Sequence, residues 1–208
     1  MTLDENFERL IRPFELLDQN VSSASCHIHI YKRINALTDQ IKVEGKDAEA
    51  LIAVRAGSIT AALVSLMASL DTYETRYRDR ASIGGLLHRL ETLEYREYFV
   101  RYHGTQDGYD AACNALKNSF HSFRLSDDFK KAKKLRNNNV AHILDVNDTP
   151  TVTYECLDNV FYNVRTMCDL AFLALGCGKA SYVHSEDRHK ATADCFISTY
   201  LRGMQSSA

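Results

Sequence analysis

The chain has 208 residues, of which 45% are apolar and 25% are charged, a composition typical of a globular domain that buries a core without a disulfide or a metal. Its formal net charge of −2 argues against a protein that binds nucleic acid through bulk positive charge. The six cysteines are irregularly spaced, which argues against a disulfide framework and predicts free thiols in a reducing cytoplasm.

The sequence offers no segment that we expect to enter a membrane. The N-terminal stretch MTLDENFERL lacks the apolar run of a signal peptide. The longest uncharged run, residues 56–70, is shorter than the about 20 residues that a membrane span needs. Because this run also contains several serine and threonine residues, we predict a buried helix, a cytoplasmic location and no membrane partner.

Helical periodicity dominates the chain, and no segment alternates convincingly as a β-strand does. The predicted helices span residues 3–18, 26–43, 47–77, 83–93, 109–123, a segment that starts after Ser126, 154–175 and 187–203. Pro13 is expected to kink or split the first helix, and the serine-rich residues 21–25 are expected to form a loop. Turns are predicted at Gly104 and at residues 107–108.

Capping residues support these boundaries. Ser126 and Thr153 are predicted N-caps, and Gly176 with Gly178 is expected to end the helix over 154–175. The elements predict an all-α protein, an antiparallel helical bundle with extra N- and C-terminal helices. We expect a single domain over 1–208, with a bundle core at about 25–178 and appended helices at 1–20 and 187–203.

Familiar cofactor and metal motifs are incomplete. Gly178-Lys179 lacks the first glycine and the final serine or threonine of a phosphate-binding loop. Cys26, His27 and His29 do not share one face of a helix, and no second pair of ligands has a matching spacing. We therefore expect no cofactor and no metal site.

One basic segment carries the candidate site: residues 133–142, with the sequence KKLRNNNVAH. Its Arg136 and His142 have the spacing R-x5-H, which has little weight alone because three such spacings are permitted and chance supplies a second Arg/His pair, Arg96 and His103. The context differs, however. Arg136 closes a basic helix and is followed by the amide Asn137, whereas Arg96 is followed by an acidic residue in aromatic surroundings.

Two geometries are open for this segment. If the helix continues through the asparagines, one i, i+3 ridge carries Lys133, Arg136, Asn139, His142 and Asp145. Arg136 and His142 are then about 9 Å apart along the axis. If the helix ends at the asparagines, the two side chains could converge across a turn. The plain alternative is a solvated basic helix end with a surface histidine.

The pattern R-N-x-x-x-A-H at the end of a basic helix resembles the HEPN superfamily of small helical bundles, most closely its AbiU-like abortive-infection branch. A second stretch is similar to that branch's long helix and the short helix after it. It comprises residues 62–66, Ser69-Leu70-Asp71 and, beyond a gap, residues 82–87. The resemblance covers about residues 25–178 and implies a HEPN-like bundle.

The resemblance implies a dimeric, metal-independent endoribonuclease whose two Arg/His motifs form one cleft. His142 would be the general base that takes the proton from a ribose 2′-OH, Arg136 would hold the scissile phosphate, and Asn137 would orient that phosphate or His142. RNA would be cut to a 2′,3′-cyclic phosphate, while DNA would stay intact. Binding of the RNA backbone is assigned to Lys130, Lys131, Lys133, Lys134 and Asn139, with possible support from Asp71 and Asp145.

The same resemblance implies an antiphage or toxin–antitoxin role, with a cognate antitoxin or regulator as a partner. Leu144 stands where many toxins of this kind carry a tyrosine, which puts silencing by tyrosine modification in doubt. Two other interpretations stay open. One is a non-catalytic HEPN-like module that binds a nucleotide, RNA or a partner protein; the other is a helical scaffold in which Arg136 pairs with acids.

Overall fold

The computed structural model describes residues 3–38, 46–71, 81–102, 104–141, 154–176 and 182–205. These residues form an all-α helical bundle, as predicted, and no strand occurs among them. The helices are α1 (Leu3–Thr38), α2 (Lys46–Ser69), α3 (Ile83–Leu90), α4 (Leu93–Tyr102), α5 (Gln106–Leu125), α6 (Asp127–Ala141), α7 (Tyr154–Ala174) and α8 (Tyr182–Gln205).

Helix α1 is continuous where a kink or split at Pro13 and a loop at residues 21–25 were predicted. It runs through Pro13 and through residues 21–25 without a break, so it is not split at Pro13. The predicted loop was wrong because the apolar stripe does not stop at the serines. Val21, Ala24 and Ile28 are almost fully buried, and they continue the stripe at helical spacing.

Other helix ends also differ from the predicted ones, including both ends of α8, which spans Tyr182–Gln205 where residues 187–203 were predicted. Helix α2 stops at Ser69, because the amides of Leu70 and Asp71 bond three residues back instead of four. Helix α3 stops at Leu90, because the hydroxyl and the amide of Thr92 both donate to the Arg89 carbonyl, at 2.7 and 2.9 Å. Helix α5 starts at Gln106, so the predicted turn at residues 107–108 is wrong.

Two of the four predicted capping residues lie among the described residues. Ser126 caps α6, since its hydroxyl accepts from the Phe129 amide at 3.2 Å. Gly176 follows the end of α7 with a φ of 80°, the left-handed conformation that a glycine adopts without strain. Thr153 and Gly178 lie outside the described residues.

The chain divides into two compact units. Unit 1 comprises residues 1–21 and 66–180, and unit 2 comprises residues 22–65 and 181–208. The predicted division into a core at 25–178 with appended terminal helices stays a prediction.

In unit 1, α7 is the central helix and packs against α3, α5 and α6. The N-terminal part of α1 joins this core through Phe14, which is fully buried. Its ring lies against Tyr95 of α4 and Phe172 of α7, with centroids 6.2 and 5.9 Å apart. The Tyr95 hydroxyl also donates to the Leu10 carbonyl at 3.2 Å.

Unit 2 has its own small core, formed by Ile34 and Leu37 of α1, Leu51 of α2 and Ile197 of α8. At its surface, Arg33 pairs with Asp194 at 2.8 Å, which ties α1 to α8.

Within α2, the segment Glu49–Ser69 is long and apolar enough to cross a membrane by length and composition, and 33% of its apolar window is buried. Core helices of water-soluble proteins meet the same criteria. The buried positions lie mostly in its C-terminal half, at Ala62, Leu63, Leu66 and Met67. Burial of this half agrees with the predicted buried helix, while the N-terminal half exposes Ile52.

Candidate functional site

Residues 133–141 of the basic segment lie on α6, whose sequence favours a helix at its N-terminal end. Ser126 caps it, and Asp127 and Asp128 in the first turn complement the positive end of the helix dipole. The helix continues through the asparagines to Ala141, so the first of the two geometries holds for the described residues.

One face of α6 is buried and the other is cationic. Phe129, Ala132 and Leu135 are buried at i, i+3 and i+6 and hold the helix in unit 1. The four predicted RNA-binding lysines are all exposed: Lys130, Lys131, Lys133 and Lys134. Lys130 lies 3.3 Å from Asp127, a pair that solvent screens strongly. The helix therefore presents a row of mobile positive charges to water.

Arg136 lies between this cationic face and the buried face. Its Nε and Nη2 atoms donate to the Asn137 side-chain oxygen at 3.1 and 2.9 Å. Its Nη1 atom lies 3.8 Å from Oδ1 of Asp71, which follows the end of α2. Three predicted site residues thus lie close together: Arg136 and Asn137 of α6, and Asp71, which is distant in sequence.

The arrangement holds the guanidinium in place and leaves part of it available. The Asn137 amide fixes one edge of the plane, while the Asp71 carboxylate is too far away for a hydrogen bond. A guanidinium has further N–H donors that suit the paired oxygens of a phosphate. Because 27% of the Arg136 side chain is exposed, an anion can approach it from solvent.

The Asp71 contact also bears on the scaffold interpretation, in which Arg136 pairs with acids. Arg136 does have an acidic neighbour, so that interpretation is met in part. The distance of 3.8 Å and the exposure of both side chains make this a loose pair.

The other predicted residues cannot be placed around Arg136. His142 and Asp145 lie outside the described residues, as does Leu144. Asn139 lies in α6, three residues after Arg136. The proximity of His142 to Arg136 therefore stays a prediction.

A second polar region went unnoticed in the sequence. Arg96 of α4, which was set aside as a chance match, lines a cavity of about 390 Å³ that lies against α3 and α5. A signal for it exists on α5, where Asp110, Asn114 and Lys117 recur at i, i+4 and i+7 and place three polar side chains on one face.

The cysteines and the metal-binding residue types give no second centre in the described part of the chain. The described cysteines Cys26, Cys113, Cys156, Cys168 and Cys195 are free thiols. No group of three or more histidine, cysteine or acidic side chains is placed to hold a metal among the described residues.

Comparison of the chain with protein-family models, with curated proteins and with solved structures gives no match.

Proposed function

We propose that this protein is a metal-independent endoribonuclease of the HEPN type, which acts as a homodimer in antiphage defence or as the toxin of a toxin–antitoxin pair in the cytoplasm. The observation that carries the proposal is the placement of Arg136. Its guanidinium is held by Asn137, is partly open to solvent and lies on a helix with four exposed lysines.

In the proposed reaction, His142 removes the proton from a ribose 2′-OH. The 2′ oxygen then attacks the adjacent phosphorus, and the 5′ oxygen of the next nucleotide leaves with a proton. The products are a 2′,3′-cyclic phosphate and a 5′-hydroxyl end. Arg136 binds the non-bridging oxygens and offsets the charge that grows on them in the transition state. A histidine suits the base because its pKa lies near neutral pH.

The lysines of α6 supply attraction along the RNA backbone. Lys131 and Lys134 are exposed and project away from the buried face of the helix. Neutralising one phosphate releases condensed counterions, so each lysine that contacts RNA steepens the salt dependence of binding by about one unit of slope. Such a local patch allows RNA binding by a chain whose net charge is −2.

The test compares the purified wild-type protein with Arg136→Ala, Asn137→Ala and His142→Ala on an end-labelled single-stranded RNA. We expect 2′,3′-cyclic phosphate ends with the wild-type protein, in the presence of a chelator. Loss of His142 or Arg136 should lower the rate by about 10²–10⁴-fold. DNA of the same sequence should not be cut, because it lacks the 2′-OH.

Matched controls are His121→Ala, an exposed histidine of α5, and Arg188→Ala, an exposed arginine of α8. Both should cleave RNA like the wild-type protein. If all variants cleave equally, the chosen residues are not the active site. If no variant cleaves any RNA and the wild-type protein also fails, the ribonuclease proposal is refuted for the isolated protein.

A second candidate is a non-catalytic RNA-binding module, which the four exposed lysines of α6 favour because they can bind the RNA backbone without a general base. A binding module and a ribonuclease respond differently to mutation. Lys131→Ala and Lys134→Ala should weaken RNA binding, His142→Ala should leave binding unchanged, and the RNA should stay intact in every case.

A further inference from the structure

The cavity beside α3, α4 and α5 is separate from the Arg136 site, and the proposed function does not use it. Its volume of about 390 Å³ lies in the range of about 300–1,000 Å³ that is typical of small-molecule pockets. All of its lining belongs to unit 1.

The less exposed part of the cavity is uncharged and is formed by the buried Leu90 and Tyr109 and the half-buried Leu87 and Cys113. The Tyr109 hydroxyl donates to the Leu90 carbonyl, which fixes the ring and satisfies its polar end. Burial raises the pKa of the Cys113 thiol, so the thiol stays neutral at physiological pH. We call these four residues the floor.

The exposed edge of the cavity carries two ion pairs that link α5 to the residues before it. Arg96 Nη2 lies 2.6 Å from Asp110 Oδ1, and Lys117 Nζ lies 3.2 Å from Glu91 Oε1. Two cations and two carboxylates cancel in formal charge. A ligand with a single charge is therefore attracted by one member of each pair and repelled by the other.

A zwitterion avoids this cancellation, since each of its charges can lie beside the opposite charge of one pair. The Arg96–Asp110 pair suits it better than the Lys117–Glu91 pair. Its side chains are less exposed, 44% and 40% against 51% and 61%, so its field is less screened. A guanidinium also binds a carboxylate through two parallel hydrogen bonds, which an ammonium cannot do.

We propose that this cavity binds a free α-amino acid with an apolar side chain. The carboxylate of the ligand pairs with Arg96, its ammonium pairs with Asp110, and its side chain lies on the floor formed by Leu87, Leu90, Tyr109 and Cys113. The ligand adds its charges to an existing ion pair without breaking it. The site so assigned is a small-molecule binding site, and it stands whether or not the protein cleaves RNA.

The test is calorimetric or ligand-observed NMR titration of the whole protein at low salt with leucine and phenylalanine. Each is compared with two analogues that carry one charge, the N-acetyl amino acid and the amino-acid amide. We expect saturable binding of at least one zwitterion with a Kd below about 1 mM, and at least 10-fold weaker binding of both analogues. Equal binding of an analogue, binding of nucleosides instead, or no saturation by about 10 mM would overturn the proposal.

Variants locate the site. Asp110→Asn should weaken binding of the zwitterion at least 10-fold and should strengthen binding of the N-acetyl analogue, because that anionic analogue has no ammonium and the variant removes the carboxylate that repels it. Asp107→Asn, an exposed aspartate of the same helix, is the matched control. Cys113→Leu should fill the floor and abolish binding. If that variant does not fold, the aspartate pair and the analogue series decide the question by themselves.

Discussion

The contact between Arg136 and Asp71 gives a prediction that separates stability from positioning. The Nη1–Oδ1 distance is 3.8 Å, and the side chains are 27% and 35% exposed. Two unit charges at this distance attract by about 1 kcal/mol in water and about 4 kcal/mol at the effective dielectric near a protein surface. Since water reaches both side chains, the pair should contribute less than about 1 kcal/mol to the free energy of unfolding.

A double-mutant cycle measures this contribution: urea unfolding of the wild-type protein, Asp71→Asn, Arg136→Gln and the double variant. The coupling free energy should be below about 1 kcal/mol and should shrink as salt is added. A coupling above about 2 kcal/mol would refute the reasoning, because it would require a pair shielded from water.

The Asp71→Asn variant can also be tested in RNA cleavage. If Asp71 orients Arg136, Asp71→Asn should lower kcat about 10-fold, because a misplaced guanidinium no longer lies beside the phosphate oxygens that gain charge in the transition state. KM should stay equal or fall, since removal of a carboxylate removes a competitor for the cation. Asp187→Asn, an exposed aspartate of α8, should change neither value. An unchanged kcat in Asp71→Asn would show that the carboxylate does not position the arginine.

Two further predictions concern titration and reactivity. The hydrogen bond from Gln106 and the ion pair with Arg96 hold the pKa of Asp110 below its usual range. The stability that this carboxylate contributes is therefore present above its unfolded-state pKa. It is lost as the pH falls through the lowered folded-state pKa. Gln106→Ala and Arg96→Gln should each flatten the fall in stability below about pH 4, and an unchanged acid profile would contradict this cause. Burial raises the pKa of Cys156 to about 11, whereas Cys195 is exposed. Iodoacetamide at pH 8 should therefore label Cys195 before Cys156, which mass spectrometry can measure. Equal labelling rates of the two thiols would contradict the burial of Cys156.

Helix α1 shows which sequence signal deserved more weight. Its buried residues recur every three or four positions: Leu10, Phe14, Leu17, Val21, Ala24 and Ile28. The serines at 22, 23 and 25 fall between these positions and suggested a loop by composition alone. The apolar period was unbroken, and burial of the stripe outweighs the weak helix propensity of serine.

Some features of the candidate site depend on residues within one helix, whereas others depend on contacts between residues that are distant in sequence. The cationic face of α6 depends on neighbours in one helix, so spacing alone predicts it. The contact between Arg136 and Asn137 does not follow from spacing, because adjacent positions on a helix do not face each other. Asp71 entered only through the resemblance, because nothing in the sequence between it and Arg136 fixes their distance. The cavity was missed because its ion pairs join residues 14 and 26 positions apart, on helices whose packing the sequence pattern does not give.

Neither compact unit is a continuous stretch of chain, and this has a consequence for synthesis on the ribosome. The core of unit 2 includes Ile197, so the early residues Ile34 and Leu37 must wait for α8 to emerge. In unit 1, Phe14 likewise waits for Phe172. The apolar stripe of α1 is therefore made before the helices that cover it, and the nascent chain exposes it until those helices emerge. A chaperone that holds apolar segments should therefore bind residues 10–37 of stalled chains and release them from full-length ones.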